Sequence, residues 1–295
     1  MKTYGSRPGS SVSIAAGLVG ALFLLTGIVC AQSDFPKTPG VWLSDEPGYA
    51  PGSARVEELT QSLRRITGLK ELHFEKDGSL ATGAAQSAAA LSEGSATARQ
   101  ILSSSLNSGF VFIIEDHSDS PSVNFGQINE GLRYQDGLTG LILTVWRVRL
   151  DFSDFRAMQA SREVKAAFDV GFTTLHELLH GLGYKDATKF SELGECEEKV
   201  NRSREELGLP MREQYFGDAV ILARHFISVR LRFRSDKSND PDAAVRKKTQ
   251  YLFFMIKNDY EHSSPTVMSA LDCGYGNAIQ HKGAKVQRFK NGKGD

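Results

Sequence analysis

The chain has 295 residues, of which 40% are hydrophobic and 24% are charged, a composition typical of a soluble globular protein. Lysine and arginine together number 35, as do aspartate and glutamate, so the formal net charge is +0. This balance gives no electrostatic reason to expect nucleic acid or an anionic membrane as a partner.

The N-terminus is typical of a secretory signal peptide, residues 1–31. Lys2 and Arg7 precede an apolar stretch, residues 14–29, and Val29-Cys30-Ala31 supplies small residues at the positions that a signal peptidase reads. The alternative is a retained anchor helix, since the stretch is close to spanning length. We predict cleavage after Ala31 and a secreted or periplasmic protein that is not bound to a membrane once the signal is removed. Loss of two basic residues leaves 33 basic against 35 acidic ones, a net charge of −2.

The remaining sequence predicts a single domain, residues 32–282, followed by a flexible tail, residues 283–295. Helices are predicted from apolar residues at helical spacing, and strands from apolar runs or from alternation. The predicted helices cover 53–66, 96–106, 166–182 and 195–207. The predicted strands cover 109–115, 141–152, 220–233 and 250–256, the last two forming a hairpin. Residues 32–52 predict an extended entry segment, and 116–138 a long polar loop.

One segment, His176-Glu177-Leu178-Leu179-His180, carries side chains suited to metal chemistry. Histidines four residues apart lie on one face of a helix, one turn apart, so both imidazoles can bind a tetrahedral zinc ion. Glu177 lies beside such a metal and can accept a proton from a water molecule that the metal has acidified. The pattern predicts two ligands and a general base, and the alternative is two structural histidines on a core helix.

His-Glu-x-x-His at 176–180 resembles the zincin metallopeptidases, which hydrolyse peptide bonds with zinc. The next residues, His180-Gly181-Leu182-Gly183-Tyr184-Lys185-Asp186, look like the metzincin extension His-x-x-Gly-x-x-Asp. In that pattern a glycine ends the helix and an aspartate replaces the usual third histidine. This resemblance implies Asp186 as the third zinc ligand.

A second resemblance implies a different ligand. Residues 201–215 look like a segment after the active-site helix in bacterial effector- and toxin-associated zincins. In zincins of the Glu type a later helix supplies the third ligand, and on the helix predicted here Glu197 is our choice. Asp186 and Glu197 stay equal candidates, and the one that does not bind the metal would be a hydrogen-bonding partner of a ligating histidine.

Two further residues are implied by the same resemblance. Arg212 and Tyr215 are similar to an Arg-x-x-Tyr pair that some Glu-type zincins use to stabilise the oxyanion. A guanidinium and a phenol both donate hydrogen bonds to developing negative charge, so this role is chemically sensible. The alternative is that the two side chains merely secure the chain after the helix.

The resemblance implies an α+β, zincin-like catalytic domain with a small twisted sheet, an active-site helix, a following helix and a C-terminal β-hairpin. It implies a secreted zinc metallopeptidase whose peptide or protein substrate lies extended along residues 141–152. Two alternatives stay open: a secreted zinc-containing binding protein without catalysis, and a zinc amidase that acts on the cell wall.

After signal removal Cys196 and Cys273 remain, either as one disulfide or as two buried thiols. A disulfide and the polar loop 116–138 would suit the binding protein.

Overall fold

The computed structural model describes residues 38–257, except for 47, 84–92, 119, 121–123, 130, 136–139, 141, 190–191, 224–225 and 236–247. The predicted signal peptide, residues 1–31, and the predicted tail, residues 283–295, lie outside the described residues. Among the described residues, no helix has both the length and the apolar character needed to span a membrane.

Helices and strands are mixed along the chain, so the predicted α+β class is confirmed. The described helices are α1 (Ala54–Thr67), α2 (Ala96–Leu106), α3 (Phe152–Ala157), α4 (Arg162–Ala167), α5 (Val170–Gly181) and α6 (Gly194–Glu206). The described strands are β1 (Gly40–Leu43), β2 (His73–Phe74), β3 (Leu80–Ala81), β4 (Val111–Asp116), β5 (Gly126–Ile128), β6 (Leu132–Gln135), β7 (Ile142–Leu150), β8 (Gln159–Ala160), β9 (Met211–Arg212), β10 (Asp218–Ala223), β11 (Phe226–Ser235) and β12 (Lys248–Lys257).

The first sheet has the order β1-β4-β7-β5, and β6 also pairs with β7. Strands β1, β4 and β7 are parallel, whereas β5 and β6 run antiparallel to β7. Strand β7 therefore has β4 on one side and β5 with β6 on the other, so its backbone is already paired. This corrects the prediction that a substrate lies along residues 141–152, because β5 and β6 form the edge there.

The second sheet is antiparallel, with the order β10-β11-β12-β8 and β9 paired to β11. The predicted C-terminal hairpin is confirmed, since β11 pairs with β12 over Phe226–Ser235 and Lys248–Lys257. The single strand predicted over 220–233 is wrong, because the chain forms two antiparallel strands there. Strands β2 and β3 form a separate small hairpin.

Helix α5 lies at the centre of the fold, and all twelve of its residues are buried. It packs against α1, α2, α6, β5 and β7. Its first turn is capped by Asp169, whose Oδ1 accepts a hydrogen bond from the Phe172 backbone at 3.1 Å. The other oxygen of Asp169 accepts from Ser62 at 2.6 Å and from Arg65 at 2.7 Å, which ties the start of α5 to α1. The single helix predicted over 166–182 is therefore wrong: α4 ends at Ala167, and α5 starts after the Asp169 cap.

The apolar side chains of the helices and of both larger sheets form one core. Helix α1 follows its predicted spacing, and the residues that repeat at that spacing are fully buried. Several large side chains fill the space between α1, α5 and β4: Val56, Leu59, Leu63, Ile66, Phe112, Ile114, Phe172, Leu175, Leu178 and Leu179. Because this core surrounds α5 on several sides, the polar residues of α5 are held in fixed positions.

Candidate metal centre

Two imidazoles project from α5 towards one carboxylate. The ring centroids of His176 and His180 are 5.0 Å apart, as expected for residues one helical turn apart. His176 Nε2 lies 3.1 Å from Asp186 Oδ1, and His180 Nε2 lies 3.1 Å from Asp186 Oδ2. Both histidines are buried, with 5% and 4% of their surface exposed. The structure thus brings the two predicted histidines and Asp186 together.

Asp186 reaches this position because the chain turns back after α5. Gly183, with φ 96°, permits the turn, and Asp186 then forms an isolated backbone bridge with Gly194 at the start of α6. Its Oδ2 also accepts a hydrogen bond from the Tyr215 hydroxyl at 2.6 Å. The carboxylate is therefore fixed both through its backbone and through its side chain.

The side chains that converge here can hold a metal ion. His176, His180, Asp186 and Cys196 each offer one ligand atom, and these atoms all lie within 4.8 Å of one another. His176 Nε2 and Asp186 Oδ1 are buried, and within the described part of the chain neither makes a hydrogen bond of regular geometry. Two imidazole nitrogens and a carboxylate oxygen are a donor set that zinc binds in proteins. The residues present therefore fit a metal.

The electrostatics of the centre favour positive charge. Burial lowers the pKa of His176, but Asp186 and Glu197 outweigh burial and raise that pKa to about 10. Burial raises the pKa of Asp186, but His176 and His180 outweigh it and hold the pKa well below its usual range. The negative charges of Asp186 and Glu197 therefore favour a positive charge at this centre.

Glu177 lies beside this group, between α5 and β5. Its side chain is fully buried, and within the described residues neither carboxylate oxygen makes a hydrogen bond of regular geometry. Burial raises its pKa to about 7, while the two imidazoles and the Ile128 backbone N–H act in the opposite direction. A Cβ atom at Gly126 would come within 3.3 Å of Glu177 Oε1, so the backbone of β5 passes close to this carboxylate.

Glu197, the other predicted third ligand, is on the far side of the His176 ring from Asp186. Its Oε2 is 3.3 Å from His176 Nδ1, whereas Asp186 faces Nε2. Its two oxygens also contact two arginines, Arg204 at Oε1 and Arg212 at Oε2. Burial raises the pKa of Glu197, but these guanidinium groups outweigh burial and hold the pKa well below its usual value.

Arg212 and Tyr215 are both buried and both engaged with protein oxygens. Arg212 donates from Nε to the Gln214 carbonyl at 3.0 Å, and from its other nitrogens to Glu197 and to the Tyr215 carbonyl. The Tyr215 ring stacks on His176, with centroids 5.9 Å apart and planes 10° apart. Arg212 thus contacts Glu197 and the chain after α6, and Tyr215 lies against His176 and Asp186.

Comparisons with protein-family models, with curated proteins and with solved structures find no match to this chain. What the protein does is therefore inferred from its own residues. The structure brings together six of the seven residues predicted from the sequence for the site: His176, Glu177, His180, Asp186, Glu197 and Tyr215. The seventh, Arg212, reaches this group through Glu197.

Two residues at this centre were not predicted as part of it. Cys196 is a buried thiol that forms no disulfide within the described residues; its Sγ lies 3.4 Å from His180 Nδ1, and burial raises its pKa. Its possible partner in a disulfide, Cys273, lies outside the described residues. Arg204 is 1% exposed and contacts Glu197. A sequence signal existed for Arg204, because it is seven residues, or two helical turns, after Glu197 and therefore on the same face of α6.

Proposed function

We propose that this protein is a zinc-dependent metallopeptidase whose ligands are His176, His180 and Asp186. One observation carries the proposal: the Nε2 atoms of both histidines face the two oxygens of one buried carboxylate, with Glu177 next to them. This arrangement supports the metzincin-like pattern His-Glu-x-x-His-x-x-Gly-x-x-Asp over the Glu type. We also propose the zincin-like fold and secretion through residues 1–31 on the sequence patterns given above.

Asp186 is preferred to Glu197 as the third ligand because of the nitrogens that the two carboxylates face. A zinc ion bound to the Nε2 atoms of both histidines can also bind Asp186, which faces both. Glu197 faces Nδ1 of a single histidine, and both of its oxygens are held by arginines. Moving it into the metal centre would leave two buried guanidinium groups without their anion.

The roles of the residues follow from what a metal supplies. When bound, zinc polarises a carbonyl group and acidifies a water molecule. His176, His180 and Asp186 hold the metal, and Tyr215 orients Asp186 through its hydroxyl. Glu177 accepts the proton of the attacking water at its carboxylate and later donates it to the leaving amine. Burial of Glu177 excludes bulk water from that proton transfer.

A peptide substrate would pair with the sheet edge formed by β5 and β6. Within the described residues β5 has no strand partner other than β7, so the other side of its backbone can pair with an extended chain. Strand β5 passes beside Glu177, since a Cβ atom at Gly126 would come within 3.3 Å of Glu177 Oε1. An extended peptide along β5 would therefore have its backbone near the proposed general base.

A second candidate, a zinc-containing binding protein without catalysis, is favoured by the burial of the same atoms. His176 and His180 are 5% and 4% exposed, Glu177 is fully buried, and the Cys196 thiol lies next to His180. Closed sites with four protein ligands are typical of structural zinc, whereas catalytic sites keep one open position. The two candidates differ in turnover and share the same metal.

The deciding experiment compares the wild-type chain with Glu177→Gln after loading with zinc. We expect close to one zinc per chain in both, and a loss of peptide hydrolysis of at least about 10³-fold in the variant, because the general base is removed. Glu198→Gln, an exposed acid on α6, is the matched control and should keep full activity.

Three outcomes separate the candidates. Full activity of Glu177→Gln would contradict the mechanism. Bound zinc without hydrolysis of any member of a broad peptide library would favour the binding protein. Hydrolysis of cell-wall fragments but not of peptides would indicate the amidase, since the metal chemistry of amide hydrolysis is the same for both.

A further inference from the structure

We propose that Glu197 is a positioning residue that keeps His176 in the tautomer with its proton on Nδ1, so that Nε2 faces the metal. The inference rests on the proposed zinc centre and goes beyond it, because it gives a role to a carboxylate that does not bind the metal. An imidazole presents one lone pair to a metal, and the partner of its other nitrogen decides which nitrogen that is.

The His176 ring is held from three directions. Asp186 Oδ1 is 3.1 Å from Nε2, and Glu197 Oε2 is 3.3 Å from Nδ1. The Tyr215 ring stacks nearly parallel to the imidazole, with planes 10° apart, and so restricts its tilt. A ring with a carboxylate at each nitrogen and an aromatic face against it has one orientation that suits all three partners.

Glu197 is itself held by two buried arginines. Arg204 Nη1 contacts Oε1, and Arg212 Nη1 lies 3.3 Å from Oε2. The side chains of all three residues are 2% exposed. Burial of three charges is costly, and it is tolerated where the charges satisfy one another. The carboxylate is thereby fixed in place, with Oε2 positioned to accept a hydrogen bond from Nδ1–H of His176.

Arg204 is fixed in turn by its own neighbours. Its Nε donates to the Ala167 carbonyl at 2.6 Å, and its Nη1 donates to Asn201 Oδ1 at 2.8 Å. Its guanidinium lies 5.1 Å from the centre of the Phe172 ring. The support of His176 therefore extends from α6 to the segment that precedes α5, so the position of the ring depends on how these elements pack.

The other histidine has two uncharged neighbours at the corresponding nitrogen. His180 Nδ1 lies 3.1 Å from the Tyr184 carbonyl and 3.4 Å from the Cys196 thiol, both of which are uncharged acceptors. A carboxylate at Nδ1 raises the basicity of the opposite nitrogen more than a neutral acceptor does. Glu197 should therefore strengthen His176 as a metal ligand.

The test measures zinc affinity by competition with a chelator, using the full chain. Glu197→Gln should lower zinc affinity about 10- to 100-fold, the range found for partners of metal-binding histidines. Glu198→Gln, the neighbouring exposed acid, should leave the affinity within about twofold of wild type. Cobalt substituted for zinc should give an altered absorption spectrum in Glu197→Gln and an unaltered one in Glu198→Gln. An unchanged affinity in a folded Glu197→Gln protein would overturn the inference.

A second measurement needs no variant and therefore decides the matter even if Glu197→Gln does not fold. Nitrogen-15 NMR of the histidine rings in the zinc-loaded wild-type chain identifies the nitrogen that carries the proton. We expect His176 to carry it on Nδ1 and to bind zinc through Nε2. A His176 ring bound through Nδ1 would overturn the inference, because Glu197 could then only be structural.

The failure of this inference is distinguishable from that of the proposed function. Weakened zinc binding in Glu197→Gln, together with no peptide hydrolysis by the wild type, would support the positioning role and overturn the peptidase. Normal zinc affinity in Glu197→Gln, together with hydrolysis by the wild type, would do the reverse. A wild-type chain that binds no zinc would overturn both.

Discussion

Glu177 and Glu197 are two glutamates near the same histidine that are buried alike and surrounded differently. Glu177 is 0% exposed and Glu197 is 2% exposed. Burial raises the pKa of both, to about 7 for Glu177. At Glu197, two arginines outweigh burial and hold the pKa well below its usual value. Equal burial thus gives one carboxyl group that can exchange a proton near neutral pH and one that stays charged.

The difference assigns the two groups different work. A proton carrier needs both of its protonation states to be accessible, and two buried carboxyl groups with opposite shifts are a common sign of a divided role. Glu177 has the environment of a general base, and Glu197 that of a fixed anion that orients a neighbour. The energetic cost of burying a carboxylate is also met differently. Within the described residues Glu177 forms no ion pair, whereas Glu197 is paired with Arg204 and Arg212.

The largest expected effect comes from removing a cation on the Glu197 side. Arg204→Met should lower the free energy of unfolding by about 3–5 kcal/mol, because it leaves Glu197 with one arginine and the Ala167 carbonyl without its donor. Urea denaturation of the metal-free chain measures this. Arg202→Met, an exposed position on the same helix with 74% of its side chain accessible, should stay within about 0.5 kcal/mol of wild type. A loss below about 1 kcal/mol in Arg204→Met would show that the arginine does not support Glu197.

Replacing Glu177 should have the opposite effect on stability, because it should stabilise the metal-free protein at neutral and higher pH. The folded-state pKa of Glu177 is raised from 4.5 to about 7, so its contribution to stability is present below pH 4.5 and is lost as the pH rises through about 7. Gln does not titrate. Metal-free Glu177→Gln should therefore become more stable than wild type as the pH rises over this range, by about 2–3 kcal/mol at pH 8.

Thermal or urea unfolding at several pH values, with a chelator present, tests this expectation. Glu198→Gln, which removes an exposed acid from α6, is the matched control. If the stability difference between Glu177→Gln and wild type did not change with pH, the pKa of Glu177 would not be raised by burial. The contrast between the two glutamates would then be wrong. A variant that is more stable and less active would fit the cost of keeping a proton carrier buried.

The contrast between the two glutamates also separates what the sequence predicts from what it does not. The spacing of His176, Glu177 and His180 is local, so helix geometry alone predicts two imidazoles on one face. The choice between Asp186 and Glu197 depends on how the chain folds back after Gly183 and on which nitrogen of His176 each carboxylate faces. No periodicity contains that information, because it comes from the packing of α6 against α5.

The strands show a similar limit. Strand β5 has three residues within a polar segment, too few for alternation to be recognised, and so a loop was predicted over 116–138. Strands β10 and β11 were predicted as one, because Arg224-His225 between them includes none of the Gly, Asn, Asp or Pro residues that mark a turn. In contrast, α1 and the β11–β12 hairpin have long apolar patterns, and the structure agrees with both.

The smallest expected effect concerns the contact between β5 and Glu177. A Cβ atom at Gly126 would overlap the Cγ2 methyl of Thr173 and come within 3.3 Å of Glu177 Oε1. Gly126→Ala should therefore displace β5 and lower kcat/KM for peptides about tenfold, equivalent to about 1.4 kcal/mol. Steady-state kinetics with the zinc-loaded chain measure this loss.

Thr173→Ser offers a matched rescue, because it removes the methyl group that the new Cβ would meet. The double variant Gly126→Ala/Thr173→Ser should recover most of the lost activity, and Thr173→Ser alone should change little. Zinc affinity should stay within about twofold of wild type in all three, since the overlap is at Thr173, on the Glu177 side of the site and not at Glu197. An equal fall in zinc affinity in Gly126→Ala would mean that the two sides of His176 are mechanically coupled, and the division of work between the glutamates would then be incomplete.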